Sequence, residues 1–360
     1  MDAHSETTSI ASHDLDTFEL AFGTEKPSAV EDDIKVLDTD GDVVIIVRDR
    51  ETRRSKQFVA SSKVMELASA DFKDLIQDRV ARRAVTRIED GGRPSISLGD
   101  DNIEAMELLL NILHFRSVDI PTTLPPLKTL AMLGIECDKY DCESALAPWI
   151  LIWCRNIRVS DITEQTDLKY VVLAAHKFKL PNLLTILSNV GSHMTSATLQ
   201  KWEGDPLLDN YLPMSVLDTI SRKRQETMDS LRELIEGGET ALRLTATAFN
   251  MTGVLCPRCA RRYPDGAKNC RPCNSSTTLI NRLCTAEHRV AEYFVVLKAR
   301  KLWPTVPPFA ACSPAEIVKR LGQPGPAETE HKCSAEWRDG ICQLKEQLSV
   351  LAESAEKILQ

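Results

Sequence analysis

Apolar and polar positions along this chain switch between a period of two and a helical period, and the switches mark the predicted elements. The β-branched run Asp42-Val-Val-Ile-Ile-Val-Arg48 reads as a strand buried on both faces or nearly so. A charged turn runs from Asp49 to Arg54, and Lys56-Gln-Phe-Val-Ala60 pairs back as a second strand. Ser61 or Ser62 then caps a helix bearing Val64, Met65, Leu67 and Ala68. Ser69-Ala-Asp71 restarts a helix carrying Phe72, Leu75 and Ile76. A basic stretch, 78–94, ends in the loop signature Gly91-Gly-Arg-Pro94, and Ser95-Ile-Ser-Leu98 is a third strand. Asp100 or Asp101 caps the next helix, whose Ile103, Met106, Leu109, Leu110 and Leu113 follow the helical period. Pro125-Pro126 opens a helix with Leu127, Leu130, Met132, Leu133 and Ile135, and residues 143–155 supply one more.

Strand, strand, helical hairpin, strand and helices is the order of an α+β unit, a small sheet packed on one side by helices. The pattern then turns helical. Leu168 to Lys177 is a helix with Val171, Val172 and Ala175 inward, and Pro181 fits the first position of the next helix, running toward His193. Leu212-Pro-Met-Ser215 starts a long helix through Val216, Leu217, Ile220, Leu231, Leu234 and Ile235, which Gly237-Gly238 ends. Ser313-Pro-Ala-Glu316 is a capped helix start and Gly322 closes that helix. Ile341, Leu344, Leu348, Leu351, Ala355 and Ile358 repeat at heptad spacing. So short a run favours a helix packed on its own domain over a coiled coil.

Several stretches of the first unit carry a family likeness. Gly41-Asp-Val-Val-Ile-Ile-Val47, Phe58-Val-Ala-Ser-Ser-Lys-Val-Met65, Ser69-Ala-Asp-Phe-Lys-Asp-Leu75 and Ile96-Ser-Leu-Gly-Asp-Asp-Asn-Ile-Glu-Ala-Met-Glu-Leu-Leu-Leu-Asn-Ile-Leu-His114 resemble, in order and spacing, the BTB (POZ) domain of the fungal type. Leu130-Ala-Met-Leu133 and Cys137-Asp-Lys-Tyr-Asp-Cys142 look like the same group. The likeness covers roughly residues 35–155, and residues 160–250 look like the helical extension that commonly follows such domains. Animal members often have His-Arg or His-Lys where Ser61-Ser-Lys63 stands here. The resemblance implies self-association or partner binding through residues 35–155. Some members act as adaptors for cullin-based ubiquitin ligases, which makes a cullin scaffold one expected partner.

The totals refine this picture. At 360 residues the chain needs two or three domains. Its net charge of −8 is carried by residues 1–33, which hold nine acids and one lysine, are Ser/Thr-rich and read as a disordered acidic tail. The longest apolar candidate, Ala145 to Trp153, is about half of what a membrane span requires, so no membrane association is expected. The N-terminus has no basic region and no hydrophobic signal core, which points to an intracellular protein with reduced thiols.

The most definite chemistry lies in residues 251–360. Cys256-Pro-Arg-Cys259 and Cys270-Arg-Pro-Cys273 are two Cys-x-x-Cys hooks that can close four thiolates around one tetrahedral zinc. Pro264-Asp-Gly266 supplies a turn between them, so the segment looks like a short zinc ribbon. Such ribbons usually place Gly after each knuckle; here Ala260 and Asn274 stand there. Asn tolerates the left-handed backbone, Ala less well. Four sulfur ligands leave no position for water or substrate, so the metal is structural and stabilises the segment by on the order of 10 kcal/mol.

Cys284, His288, Cys312, His331, Cys333 and Cys342 lie downstream, where small buried residues are favoured over a second metal site. From Cys256 to Lys301 there are ten Lys/Arg and three Asp/Glu. A nucleic-acid-associated regulator using this basic ribbon is therefore the alternative, with solvated basic surface the favoured reading. No Gly-x-Gly-x-x-Gly, P-loop, nucleophile elbow or metalloprotease helix occurs, and His114 and His176 sit at helix positions suited to packing. The expectation is a non-enzymatic protein-protein interaction protein with a structural zinc.

Overall fold

Backbone pairing between four short segments organises the first unit. The computed structural model describes residues 33–49, 51–85, 92–155, 157–244, 248–273, 277–304, 309–323 and 343–359. The acidic tail ahead of Asp33, together with Asn274, His331, Cys333, Ile341 and Cys342, lies outside the described residues. Strands β1 (Asp33–Val36), β2 (Val43–Asp49), β3 (Arg54–Ala60) and β4 (Ser95–Gly99) form one sheet in the order β1-β3-β2-β4. β2 and β3 are an antiparallel hairpin registered from Val43 opposite Ala60 to Asp49 opposite Arg54. β4 runs parallel to β2, and β1 parallel to β3.

β2 alternates: Val43, Ile45, Val47 and Asp49 are buried, whereas Val44 and Ile46 are half-buried. The expectation of a strand buried on both faces is corrected to one core face and one half-covered face. β1 is an element the apolar pattern did not announce. Its Ile34 and Val36 are 55% and 45% exposed, so it is held by backbone pairing and by Lys35 on Glu107 at 3.0 Å rather than by burial.

Helices α1 (Ser62–Ala68) and α2 (Ala70–Val85) form the hairpin between β3 and β4. Helix α3 (Ile103–Leu113) follows β4 and buries nearly its whole length. Its N-cap is Asn102, whose side chain accepts from the Ala105 N–H at 3.0 Å; neither Asp100 nor Asp101 fills that position. α4 (Leu127–Lys139) and α5 (Glu143–Cys154) complete the covering layer. α6 (Leu168–Lys177), α7 (Leu183–His193), α8 (Ser196–Trp202) and α9 (Pro206–Tyr211) follow. α7 begins after Asn182, so Pro181 precedes the helix instead of opening it. One hydrophobic core runs from Leu37 through these helices to Ile220.

The long helix α10 (Met214–Leu244) joins two cores. Val216 and Ile220 belong to the first; Met228, Leu231, Ile235 and Leu242 belong to a second, shared with α11 (Ala286–Ala299), α12 (Pro314–Gly322) and α13 (Gln343–Leu359). Between the two sets, buried Arg224 donates to the Met194 carbonyl at 3.0 Å and to the Cys312 carbonyl at 3.4 Å. α10 passes straight through Gly237-Gly238. Gly238 is where Tyr293 of α11 packs closest: a Cβ there would sit 2.5 Å from the tyrosine hydroxyl, which donates to the Ile235 carbonyl at 2.7 Å. Here close helix packing, not chain termination, requires the glycine. α12 is capped as expected, with the Ser313 hydroxyl accepting from the Glu316 N–H at 3.2 Å. α13 buries Leu344, Leu348, Leu351 and Ala355 in the second core.

A second sheet of three strands, ordered β6-β5-β7, lies between α10 and α11 in the chain: β5 (Phe249–Leu255), β6 (Arg262–Tyr263) and β7 (Ile280–Cys284), all antiparallel. Among the described residues, no helix is long and apolar enough to cross a membrane.

Candidate metal centre

β5 delivers the first hook. Leu255 pairs with Arg262, and the intervening Cys256-Pro-Arg-Cys259 loop folds on itself through two backbone bonds. The Ala260 N–H donates to the Cys256 carbonyl at 2.9 Å, and the Cys256 N–H to the Arg261 carbonyl at 3.0 Å. Closing so tight a loop drives Ala260 to φ +53°, the left-handed region where ribbons use glycine.

The return toward the second hook is fixed by Asp265, whose carboxylate accepts from the Gly253 N–H at 2.7 Å, and by Gly266 at φ +84°. Gly253 itself has φ +87°, and a Cβ there would lie 2.8 Å from the Tyr263 carbonyl oxygen. Asn269 then bridges to Thr278, and the Cys270 N–H reaches the Thr277 carbonyl at 3.4 Å.

These turns gather the four cysteines that the sequence singles out. The sulfurs of Cys256, Cys259, Cys270 and Cys273 lie within 4.8 Å of one another, and Cys259 and Cys270 are 3.6 Å apart. A disulfide would need about 2.0 Å. Four sulfurs at about 2.3 Å from a tetrahedral ion would be separated by about 3.8 Å, which this spacing fits. Cys256 and Cys270 are buried, Cys273 is half-buried and Cys259 is exposed, so the cluster sits at the edge of the small sheet.

The electrostatics also suit a cation. The Tyr263 hydroxyl, 3.1 Å from the Cys270 sulfur, and the Cys273 N–H stabilise a Cys270 thiolate, bringing that thiol down to about 6. Hydrogen bonding to Cys259, burial and the neighbouring sulfurs push Cys273 up to about 12. Four adjacent thiols cannot all ionise without a metal to neutralise them. A tetrahedral ion held by all four sulfurs would have no position open to water or substrate.

No second centre forms among the described residues. Cys284 is buried at the end of β7, Cys312 is buried in the second core, and His288 lies 3.5 Å from Glu292 on α11. His114 is a packing residue. Its Nδ1 donates to the Leu110 carbonyl at 2.9 Å and its Nε2 accepts from the Ser61 N–H at 3.0 Å, which ties the start of α1 to the end of α3. Burial holds it below its ordinary value, in the neutral form this bonding needs. His176 is likewise lowered by desolvation.

The basic character of the ribbon is partly internal. Arg289 is buried and donates to the Cys284 carbonyl at 3.0 Å, and Arg300 is buried against the Leu321 carbonyl at 2.6 Å. Arg258, Arg261, Arg262, Lys268 and Arg271 remain exposed.

Sequence reasoning left one surface unremarked. Val64, Leu67 and Ala68 of α1, Ile112 and Leu113 of α3, Phe115 and Ala145 line an open apolar groove of about 350 Å³. Leu67 is 75% exposed and Phe115 86% exposed, and neighbouring Val118 is 97% exposed. The sequence pattern places Leu67 among the apolar residues of its helix, and the placement of α3 and α5 is what leaves it at the surface. No protein-family model matches this chain, and no curated protein matches it.

Proposed function

We propose that this chain is a non-enzymatic protein-interaction protein of intracellular type, built from a BTB-like unit, a helical extension and a zinc-stapled ribbon. The observation that carries the reading is the apolar groove beside Leu67 and Phe115. Large apolar side chains exposed together mark surfaces that other proteins cover. The order of strand hairpin, helical hairpin, parallel return strand and covering helix supports the BTB likeness of residues 35–155. A second copy or a cullin scaffold is the kind of partner that likeness implies. The metal is zinc, and it holds the ribbon in shape without taking part in chemistry.

The test is affinity purification with mass spectrometry and sedimentation analysis of the full chain beside Leu67→Asp and Phe115→Asp. Loss of specific partners or of self-association in both variants, with unchanged far-UV circular dichroism, supports the reading. Identical partners and identical sedimentation in all three chains contradict it. The exposed Arg258, Arg261, Arg262, Lys268 and Arg271 support a second reading, in which the ribbon contacts nucleic acid. Steeply salt-dependent binding of the chain to duplex DNA or to RNA, lost on neutralising these residues, would establish it.

A further inference from the structure

α8, α9 and the first turns of α10 enclose a groove of about 630 Å³. Its floor is apolar. Trp202 and Leu212 are buried, Leu199 and Leu217 are half-buried, and Met214 stands at the lip with 69% of its surface exposed. Gly204, at φ +79° and with nothing within 4 Å of where a Cβ would be, turns the chain between α8 and α9 and leaves the entrance clear.

The rim is acidic: Glu203, Asp209 and Asp218 line the groove and are exposed, and its lining residues include no lysine, arginine or histidine. Among the described residues, these three side chains make no ion pair or hydrogen bond. Two acids further along α10 are paired instead. Glu226 is matched by Arg222 and Lys223, and Asp229 by Arg232. Asp218 thus keeps a negative charge of the kind that the same helix neutralises at Glu226 and Asp229, about two and three turns later.

Unmatched carboxylates around a low-dielectric floor concentrate a negative potential at the opening. That potential repels nucleic acid and anionic membrane, while the floor offers burial to large apolar side chains. We propose that this groove docks a basic amphipathic helix of a partner protein. Its apolar side chains, at helical spacing, would lie on Trp202, Leu212 and Leu217, and its Lys or Arg side chains would face Glu203, Asp209 and Asp218. The site is built from elements other than those of the α1/α3 surface, so it would bind independently of a partner there.

The test uses fluorescence anisotropy of the full chain with a fluorescein-labelled amphipathic peptide of about 14 residues, Leu and Lys at helical spacing. Controls are its scrambled isomer, a Glu-for-Lys version, and anionic phospholipid vesicles. The basic peptide is expected to bind about tenfold or more tightly than the scrambled and acidic forms, more weakly as salt rises. Asp209→Lys with Asp218→Lys, both at exposed positions, should weaken it about tenfold and improve binding of the Glu version. Asp218→Asn, which keeps size and shape, should weaken it about threefold. Hydrogen exchange should show peptide-dependent protection within 199–221. The proposal is overturned by equal binding of the scrambled isomer, by unchanged affinity in both charge variants, by protection elsewhere, or by vesicles binding in preference to the peptide.

Discussion

Replacing Glu136 by Gln should stabilise the first core, and by an amount that depends on pH. Glu136 lies on α4 and is 3% exposed. One carboxyl oxygen accepts from the Asn102 N–H at 3.0 Å; the other is sealed from solvent with no hydrogen-bond partner. Its neighbour Asp101 is 1% exposed, paired with Lys139 and accepting from the Tyr140 hydroxyl at 2.7 Å. Burial, and then the Asp101 charge, push Glu136 from its ordinary 4.5 up to about 8. Unfolded, the group ionises near 4.5; folded, it stays protonated to about 8. Across that window the native state holds the extra proton, so stability falls as pH rises and levels off above about 8.

At pH 7 the cost is about 3 kcal/mol, taking 1.36 kcal/mol per unit over the part of the window already crossed. Glutamine keeps the acceptor for Asn102 and does not titrate. Melting of the full chain should therefore rise by roughly 6–12 °C at pH 7, at about 2–4 °C per kcal/mol for a unit of this size, and by about 2 °C near pH 5. Scanning fluorimetry of both chains from pH 5 to 8.5 provides the comparison. A difference in melting temperature that stays constant with pH, or a variant less stable at pH 8, would refute the reasoning.

Gly238→Ala should destabilise the second core by about 1–3 kcal/mol, because its Cβ meets the Tyr293 hydroxyl; faster hydrogen exchange in α10 and α11 would report it. Ala260→Gly should relieve a left-handed alanine by about 1 kcal/mol and make the metal about fivefold harder to remove in competition with a chelator. His114 lies below its ordinary 6.5, so the unfolded chain takes up the proton first and stability falls as pH drops through that value. His114→Gln should flatten this acid limb in melting curves between pH 5 and 7.

Legibility in the sequence followed how local the determinants were. The β2–β3 hairpin, the buried face of α3 and the Ser313 cap are set by neighbours within a few residues, and periodicity finds them. The four cysteine ligands were legible for the same reason, since spacing alone brings each hook together and one short sheet joins the two. Gly237-Gly238 misled because intrinsic helix propensity was outweighed by a tyrosine 55 residues beyond Gly238 in sequence. β1 escaped because its apolar residues face outward, leaving no burial signal. Buried Glu136 was invisible because its contact, Asn102, lies 34 residues away. The acid-rimmed groove arises from the packing of three helices, so it belongs to no single pattern in the chain.

The four gathered cysteines predict a tetrathiolate zinc centre. Elemental analysis of the purified full chain after dialysis measures it directly, with Cys270→Ser run in parallel. About one zinc per chain in the wild type and none retained by the variant is the expected result. A wild-type chain without stoichiometric metal, or a variant that keeps the same metal content, would contradict it.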